Sequence, residues 1–257
     1  MTRDDPTPPS ERYWDKWHIS KSEYDQYIEA KKIRDKRVPK VGSIAPDFNI
    51  EKLDKEGQRT GEMFQLSSTR GKPVAIVFGS FTWTPFRNQA GRLNDIFDRY
   101  KNNLHFVSVY IREAHPNDSI GGYRSDYNVD VGIQFNQPKT ERERAAVAQQ
   151  CVSRLKIRMP MLLDDMNNQA EEKYIAWPDR LFVLDAVGLI TYHSALGPEG
   201  FNVDEWELAI KAVFAHDQNR SNSWSSTNLL LCTECFVGGS HTLSLPKVGM
   251  RGARSLK

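Results

Sequence analysis

The strongest constraint on the fold is the run Val74–Phe78, five consecutive apolar residues introduced by Gly71, Lys72 and Pro73. A strand without polar alternation has to be buried on both faces, as happens when helices cover both sides of a sheet. The next segment supplies one such helix. Phe86, Ala90, Leu93, Phe97 and Tyr100 recur at spacings of four, three, four and three, which is one buried helical stripe. Leu104–Ile111 then reads as a second buried strand.

The rest of the chain extends this alternation. Ser20 followed by Glu23 is a capping-box pair and opens a helix through about Lys36, ended by Val38–Pro39. Asp47–Leu53 alternates in part, with Gly57 marking a turn. Residues 116–138 hold Pro, Gly, Asn and Asp among scattered aromatics, and read as a long insertion loop of the kind that carries function or lacks order. Thr140 and Glu143 open a further helix bearing Val147, Cys151 and Leu155. Pro160–Leu163 reads as a short strand and Asn168–Ala176 as a short helix. Arg180–Asp185 and Leu189–His193 form a hairpin around Gly188, and Asn202 or Asp204 caps a last helix with Trp206, Ile210 and Phe214. The order β-α-β-α-β-β-α implies a mixed central sheet with helices on both faces. The expected domain covers residues 38–215. Residues 1–37 form an N-terminal arm, proline-rich to residue 12 and then helical, and residues 216–257 form a C-terminal extension, a polar linker with a basic tail.

Composition narrows the function. Lys plus Arg number 35 against 33 Asp plus Glu, a net charge of +2, whereas a dedicated nucleic-acid binder carries a plainly basic footprint. The longest apolar runs are about five residues, and a membrane span needs about 20. The N-terminus has no apolar core of a secretory signal. Three cysteines, Cys151, Cys232 and Cys235, make no disulfide framework for 257 residues, so the expected compartment is reducing and cytoplasmic. No metal site and no cofactor is expected. Cys151 lies on an apolar stripe and reads as inert core. Cys232-Thr-Glu-Cys235 is a C-x-x-C outside the domain, read as tail thiols or else as a redox pair or half a zinc site.

Two segments carry a resemblance. VGSIAPDF at Val41–Phe48 with RGKPVAIVFGS at Arg70–Ser80, and RLFVLDAVGLI at Arg180–Ile190, resemble the opening and closing hairpin of peroxiredoxin-type thioredoxin-fold proteins. Within that superfamily, FGSFTWTPF at Phe78–Phe86 and YIREAH at Tyr110–His115 resemble the iodothyronine deiodinases and their bacterial relatives. With DDMNNQAEEKYIAWPDRLFVLD and Gly197–Pro198, the likeness covers about residues 38–212. It implies a thioredoxin-like three-layer α/β sandwich, an oxidoreductase scaffold and a homodimer. The departures are as informative. Gly79, Ser80 and Thr82 match, but Trp83 stands where the animal enzymes carry selenocysteine and bacterial relatives often carry cysteine. Phe81 replaces a cysteine and Thr84 a proline, while a histidine associated with iodothyronine binding falls at Asn136. The chain also lacks an apolar segment matching the animal enzymes' membrane anchor.

Position 83 follows a strand and precedes a helix beginning near Pro85, where a missing N–H costs nothing. Free N–H groups and the helix dipole favour negative charge there and lower the pKa of a thiol. An indole has no ionisable group for such chemistry. Glu113 and His115, two apart at a strand end, are expected to face the same side. The resemblance makes His115 a general acid or base and Glu113 its orienting carboxylate; the alternative is a hydrogen-bonded pair closing the strand. Arg180 is expected beside the nucleophile position, holding an anionic group, or else bridged to Asp164, Asp165 or Asp179.

Three functions follow. In the first, Trp83 is native and a pocket roofed by Trp83, Phe81 and the 116–138 loop, with Ser80 and Asn136 contributing, binds a small aromatic or halogenated ligand. In the second, residue 83 is a selenocysteine whose UGA codon is rendered as Trp, and Trp83, Thr82, Glu113, His115 and Arg180 mark a selenol oxidoreductase served by a thiol reductant. In the third, the aromatic arm with Trp14, Trp17, Tyr24 and Tyr27, together with the basic tail, serves an interaction module, the alternative for the arm being that it packs on the domain's own flank.

Overall fold

The apolar runs land at the middle of one seven-stranded sheet in the computed structural model, which describes residues 13–16, 19–118 and 125–215. In chain order the elements are α1 (Tyr13–Lys16), α2 (Lys21–Asp35), β1 (Asn49–Leu53), β2 (Arg59–Gln65) and β3 (Val74–Gly79). They continue with α3 (Thr84–Tyr100), β4 (His105–Tyr110), α4 (Asp126–Asp130), α5 (Glu141–Leu155) and β5 (Met161–Leu163). Last come α6 (Gln169–Tyr174), β6 (Arg180–Leu184), β7 (Ile190–His193) and α7 (203–215). The sheet order is β2-β1-β5-β4-β3-β6-β7. β3 pairs in parallel with β4, and β4 with β5; the remaining pairings are antiparallel. This mixed sheet with helices on its faces is the thioredoxin-like α/β architecture.

All six residues of β3 are buried, and the two faces of the sheet build two cores. Ala75, Val77, Leu93 of α3, Ala148 of α5 and Trp206 of α7 share one. Ile76, Phe78, Phe48, Tyr174 of α6 and Phe182 share the other. Trp206 also donates its indole N–H to the Phe182 carbonyl at 2.8 Å, so the largest buried side chain leaves no polar atom unpaired.

Both capping predictions hold at the backbone. Ser20 Oγ accepts from the Glu23 N–H at 3.2 Å, and Glu23 accepts from the Ser20 N–H at 2.8 Å. Thr140 Oγ1 accepts from the Glu143 N–H at 3.2 Å, although the Glu143 carboxylate takes the Lys139 N–H instead of the cap residue's own. Asn202 rather than Asp204 caps α7, accepting from the Asp204 and Glu205 N–H groups.

Two expectations are corrected. β2 was absent from the predicted order; it is an edge strand with no fully buried residue, so no hydrophobic signal marks it. The 116–138 segment is not a plain loop, because Ser125 caps the short helix α4. Residues 1–12, Trp17, residues 119–124 and the extension with Cys232 and Cys235 lie outside the described residues.

No residue of α2 is fully buried, and polar groups bind it to the domain. Lys31 Nζ donates to the Gly197 carbonyl at 2.5 Å, Arg34 pairs with Glu171 at 2.8 Å, and Asp35 pairs with Arg180. Tyr27 adds an edge-on ring contact with Trp177, 6.5 Å between centroids. The helix therefore lies on the domain's own flank. Among the described residues no helix is long and apolar enough to cross a membrane.

Candidate functional site

Strand β3 ends at Gly79 and α3 begins at Thr84, so residues 80–83 form the turn from the sheet into the helix. Gly79 is required by close packing, because a Cβ there would lie 2.4 Å from the Phe86 ring. Trp83 occupies the N-cap of α3 in extended backbone, with Pro85 in the first turn. Its indole N–H donates to Asp179 Oδ2 at 2.6 Å, and its ring stacks on His115 at 5.4 Å between centroids.

Asp179 sits immediately before β6 and is fully buried. Its Oδ1 lies against the Gly197 backbone. Burial pushes its carboxyl up to about 7, against the Trp83 hydrogen bond, which favours the ionised form. The side chain is thus brought toward neutrality beside the N-cap of α3.

Beneath Trp83 lies a second buried carboxylate. Glu113 Oε2 accepts from the Thr82 N–H at 2.8 Å and from the Thr82 hydroxyl at 2.6 Å, while Oε1 accepts from the Tyr110 hydroxyl. Thr82 Oγ1 in turn accepts the N–H groups of Ala114 and His115, each at 3.1 Å. Burial raises the Glu113 carboxyl above its ordinary range, the Thr82 and Tyr110 bonds opposing it, and burial also raises Tyr110. This network locks residue 82 to the 110–115 segment.

A third set of bonds fixes the same turn from the helix side. Arg87, largely buried, donates to the Phe81 carbonyl at 2.6 Å, to Thr84 Oγ1 at 2.9 Å and to Asn128 Oδ1 at 2.6 Å. Asn128 closes the circuit by donating to the Thr82 carbonyl at 2.8 Å. The only described helix of the 116–138 segment is thereby tied to the turn.

A cavity of about 320 Å³ opens over this turn, with Trp83, His115, Trp177, Tyr24, Tyr27 and Lys31 among its walls. Of the site residues read from the sequence, the fold therefore brings Trp83 and His115 to the cavity, while Thr82 and Glu113 lie buried under it. Several expectations are corrected. β4 ends at Tyr110, so strand alternation no longer governs residues 113 and 115. Glu113 turns inward, and among the described residues no hydrogen bond joins it to His115. Arg180 does not reach the cavity. It is fully buried, bonded to the Ile175 and Ser194 carbonyls at 3.0 and 2.9 Å and paired with Asp35, none of the three aspartates expected. Phe81 is not a roof but core, fully buried against Phe135. Ser80 is fully buried with its hydroxyl unpartnered. Asn136 is exposed in a separate depression beside Gln137 and Lys139.

Sequence reasoning missed Asp179 as a site residue, Trp177, the Arg87–Asn128 clamp and the part played by α2. The W-P-D-R segment was inside the matched block, but nothing in it marks a carboxylate that will lose its water. Cys151 is fully buried, and burial holds its thiol well above the usual range, so it cannot substitute as a nucleophile. Among the described residues no cluster of three or more His, Cys, Asp or Glu could hold a metal ion.

Comparison with known proteins gives one consistent family. The iodothyronine deiodinase family model matches residues 8–213. Type I iodothyronine deiodinase of Xenopus laevis is 29% identical over 165 residues, 64% of this chain and 60% of that protein. Thyroxine 5-deiodinase of Gallus gallus is 32% identical over 166 residues, with the same two coverages of 64% and 60%. The chain thus spans about three-fifths of the length of these curated relatives. Among solved structures, the thioredoxin domain of a thiol-disulfide oxidoreductase from Bacteroides vulgatus aligns at a TM-score of 0.43 and 16% identity, covering 65% of this chain and 96% of that one. A secreted disulfide oxidoreductase of Mycobacterium tuberculosis aligns at 0.44 and 16%, covering 64% and 95%.

Proposed function

Because this chain belongs to the iodothyronine deiodinase family, we propose that it keeps the family's oxidoreductase scaffold as a binding protein for a small aromatic or halogenated ligand. The observation that carries the reading is the place of Trp83. Its indole forms a wall of the cavity, held by Asp179 and stacked on His115, at the position where a thiol or selenol would stand. An indole offers neither an ionisable proton in range nor a lone pair for attack, so the residue contributes a flat, polarisable surface instead of a nucleophile. The ligand ring would stack on the aromatic walls, and His115 would present a polar atom at one end.

A second reading keeps the catalyst. If residue 83 is selenocysteine rendered as Trp, its selenolate would sit at the N-cap of α3, stabilised by the free N–H groups there. Asp179 and His115, which contact residue 83, would flank it as proton donors and acceptors. Reductive dehalogenation then replaces a carbon–halogen bond with carbon–hydrogen; two external thiols are oxidised to a disulfide, and hydrogen halide leaves. The reducing cytoplasm that the cysteine usage suggests would provide those thiols. A homodimer is proposed for either reading from the family alone.

The deciding experiment is peptide mass spectrometry across residues 73–87 on protein from its natural source, followed by titration with 4-iodophenol. An unmodified Trp83 together with iodophenol quenching of indole fluorescence, diminished in Trp83→Phe, is the result expected. Selenium's isotope pattern at residue 83 would replace this reading with the second, and an unmodified Trp83 with no iodophenol binding would overturn the ligand reading.

A further inference from the structure

One wall of the cavity comes from α2, outside the sheet and its two cores. Tyr24, Tyr27, Ile28 and Lys31 line it from that helix, opposite Trp83, His115 and Trp177. Their spacings of three, one and three put the four on one helical face. The one cation of this face is Lys31. It is half-buried, and its ammonium makes a single hydrogen bond, to the Gly197 carbonyl, and no ion pair among the described residues. An ammonium carries three N–H donors, so Lys31 can also donate to a group that occupies the cavity.

The surroundings sharpen the point. Loss of water is the largest influence on Lys31 and pulls its pKa below the usual lysine range; Glu199, which lines the same cavity, Asp179 and Asp35 act in the opposite sense, and Arg180 acts with the burial. Asp179 is committed to Trp83, Asp35 is paired with Arg180, and Glu199 is exposed. A partly desolvated ammonium is matched best by a carboxylate in hydrogen-bond contact. The remaining walls carry the rings of Trp83, His115 and Trp177 beside Thr84, Asn88 and Glu199, and about 320 Å³ is at the small end of ligand sites, which run from about 300 to 1,000 Å³. That volume suits one substituted ring.

We propose that Lys31 makes the cavity selective for a single-ring aromatic carboxylate, the ring lying among the aromatic walls and the carboxylate meeting the Lys31 ammonium. The inference rests on the ligand-binding reading above and adds to it a ligand class and a specificity residue on the N-terminal helix.

Calorimetric titration of the full chain with 3-iodobenzoate and with the neutral isostere 3-iodobenzamide tests it. The benzoate should bind at least about tenfold more tightly, the range a charge-assisted hydrogen bond provides. Lys31→Gln should abolish that preference, and Lys31→Arg should retain it. Equal affinity for the two probes, or a preference that survives Lys31→Gln, would overturn the inference and leave the pocket reading intact. Binding of neither probe would overturn both. The comparison within the unmodified protein holds even if a variant fails to fold.

Discussion

Trp83 and Asp179 show how one hydrogen bond can couple a cavity wall to a buried charge. In the unfolded chain Asp179 titrates near the ordinary aspartate value of about 3.9; in the folded protein burial raises it to about 7. The folded state therefore binds the proton more tightly, and the stability from this group is complete below about pH 4 and lost as pH rises toward 7. Asp179→Asn should flatten the pH dependence of unfolding in that window, relative to the unmodified protein, by up to about 1.4 kcal/mol per pH unit. Urea melts of both proteins at pH 5 and 7 measure it, and parallel pH profiles would refute the assignment. The Arg87 clamp makes a different prediction. Asn128→Ala removes the acceptor at 2.6 Å from a largely buried guanidinium and the donor to the Thr82 carbonyl. The cost should be about 1–3 kcal/mol, with loosened amide exchange at residues 82–84 read by hydrogen–deuterium exchange.

At the scale of elements, what was legible in the sequence followed burial. β3, α3, β4, α5 and the β6–β7 hairpin announce themselves through apolar runs or helical stripes, because each buries a continuous face. β2 was invisible because its residues stay in water, and α4 because one turn of helix carries no period. The candidate site divides in the same way. Trp83 and His115 lie in recognisable motifs and do line the cavity, whereas Arg180 and Phe81 share such motifs yet face the interior, since motif membership does not say which way a side chain points. The role of α2 could not be read, because it docks through ion pairs whose partners lie far away in sequence. Asp35, for example, meets Arg180 across 145 positions. Asp35→Asn should destabilise the protein by roughly 1–2 kcal/mol, because the buried guanidinium keeps its two carbonyl bonds but loses its counter-charge. Thermal melts at low and at 1 M salt would show it; a change below about 0.3 kcal/mol would mean that the pair contributes no stability. Gly57 is the comparable case at the β1–β2 turn. Its φ is +82°, and a Cβ would lie 2.7 Å from the Gln149 backbone of α5. Gly57→Ala should therefore cost more than about 1 kcal/mol.

For the molecule as a whole, the sheet is a partition between two cores that share strands but not side-chain contacts. Leu93 belongs to the core shared by α3, α5 and α7, and Ile190 to the one shared with α6. Each truncation to Ala should cost about 2–5 kcal/mol, and the double variant should lose the sum to within about 0.5 kcal/mol. A larger deviation in chemical melts would mean that the sheet transmits strain between its faces. The same partition leaves the cavity in an unusual position. Every strand and both cores lie from residue 38 onward, yet a wall of the cavity belongs to a helix that ends at Asp35. Trimming this protein to its sheet-bearing portion, a natural choice for crystallisation or for grafting onto another scaffold, would yield a specimen whose secondary structure looks intact and whose binding side stands open. Where one chooses to begin the chain therefore decides whether the pocket exists at all.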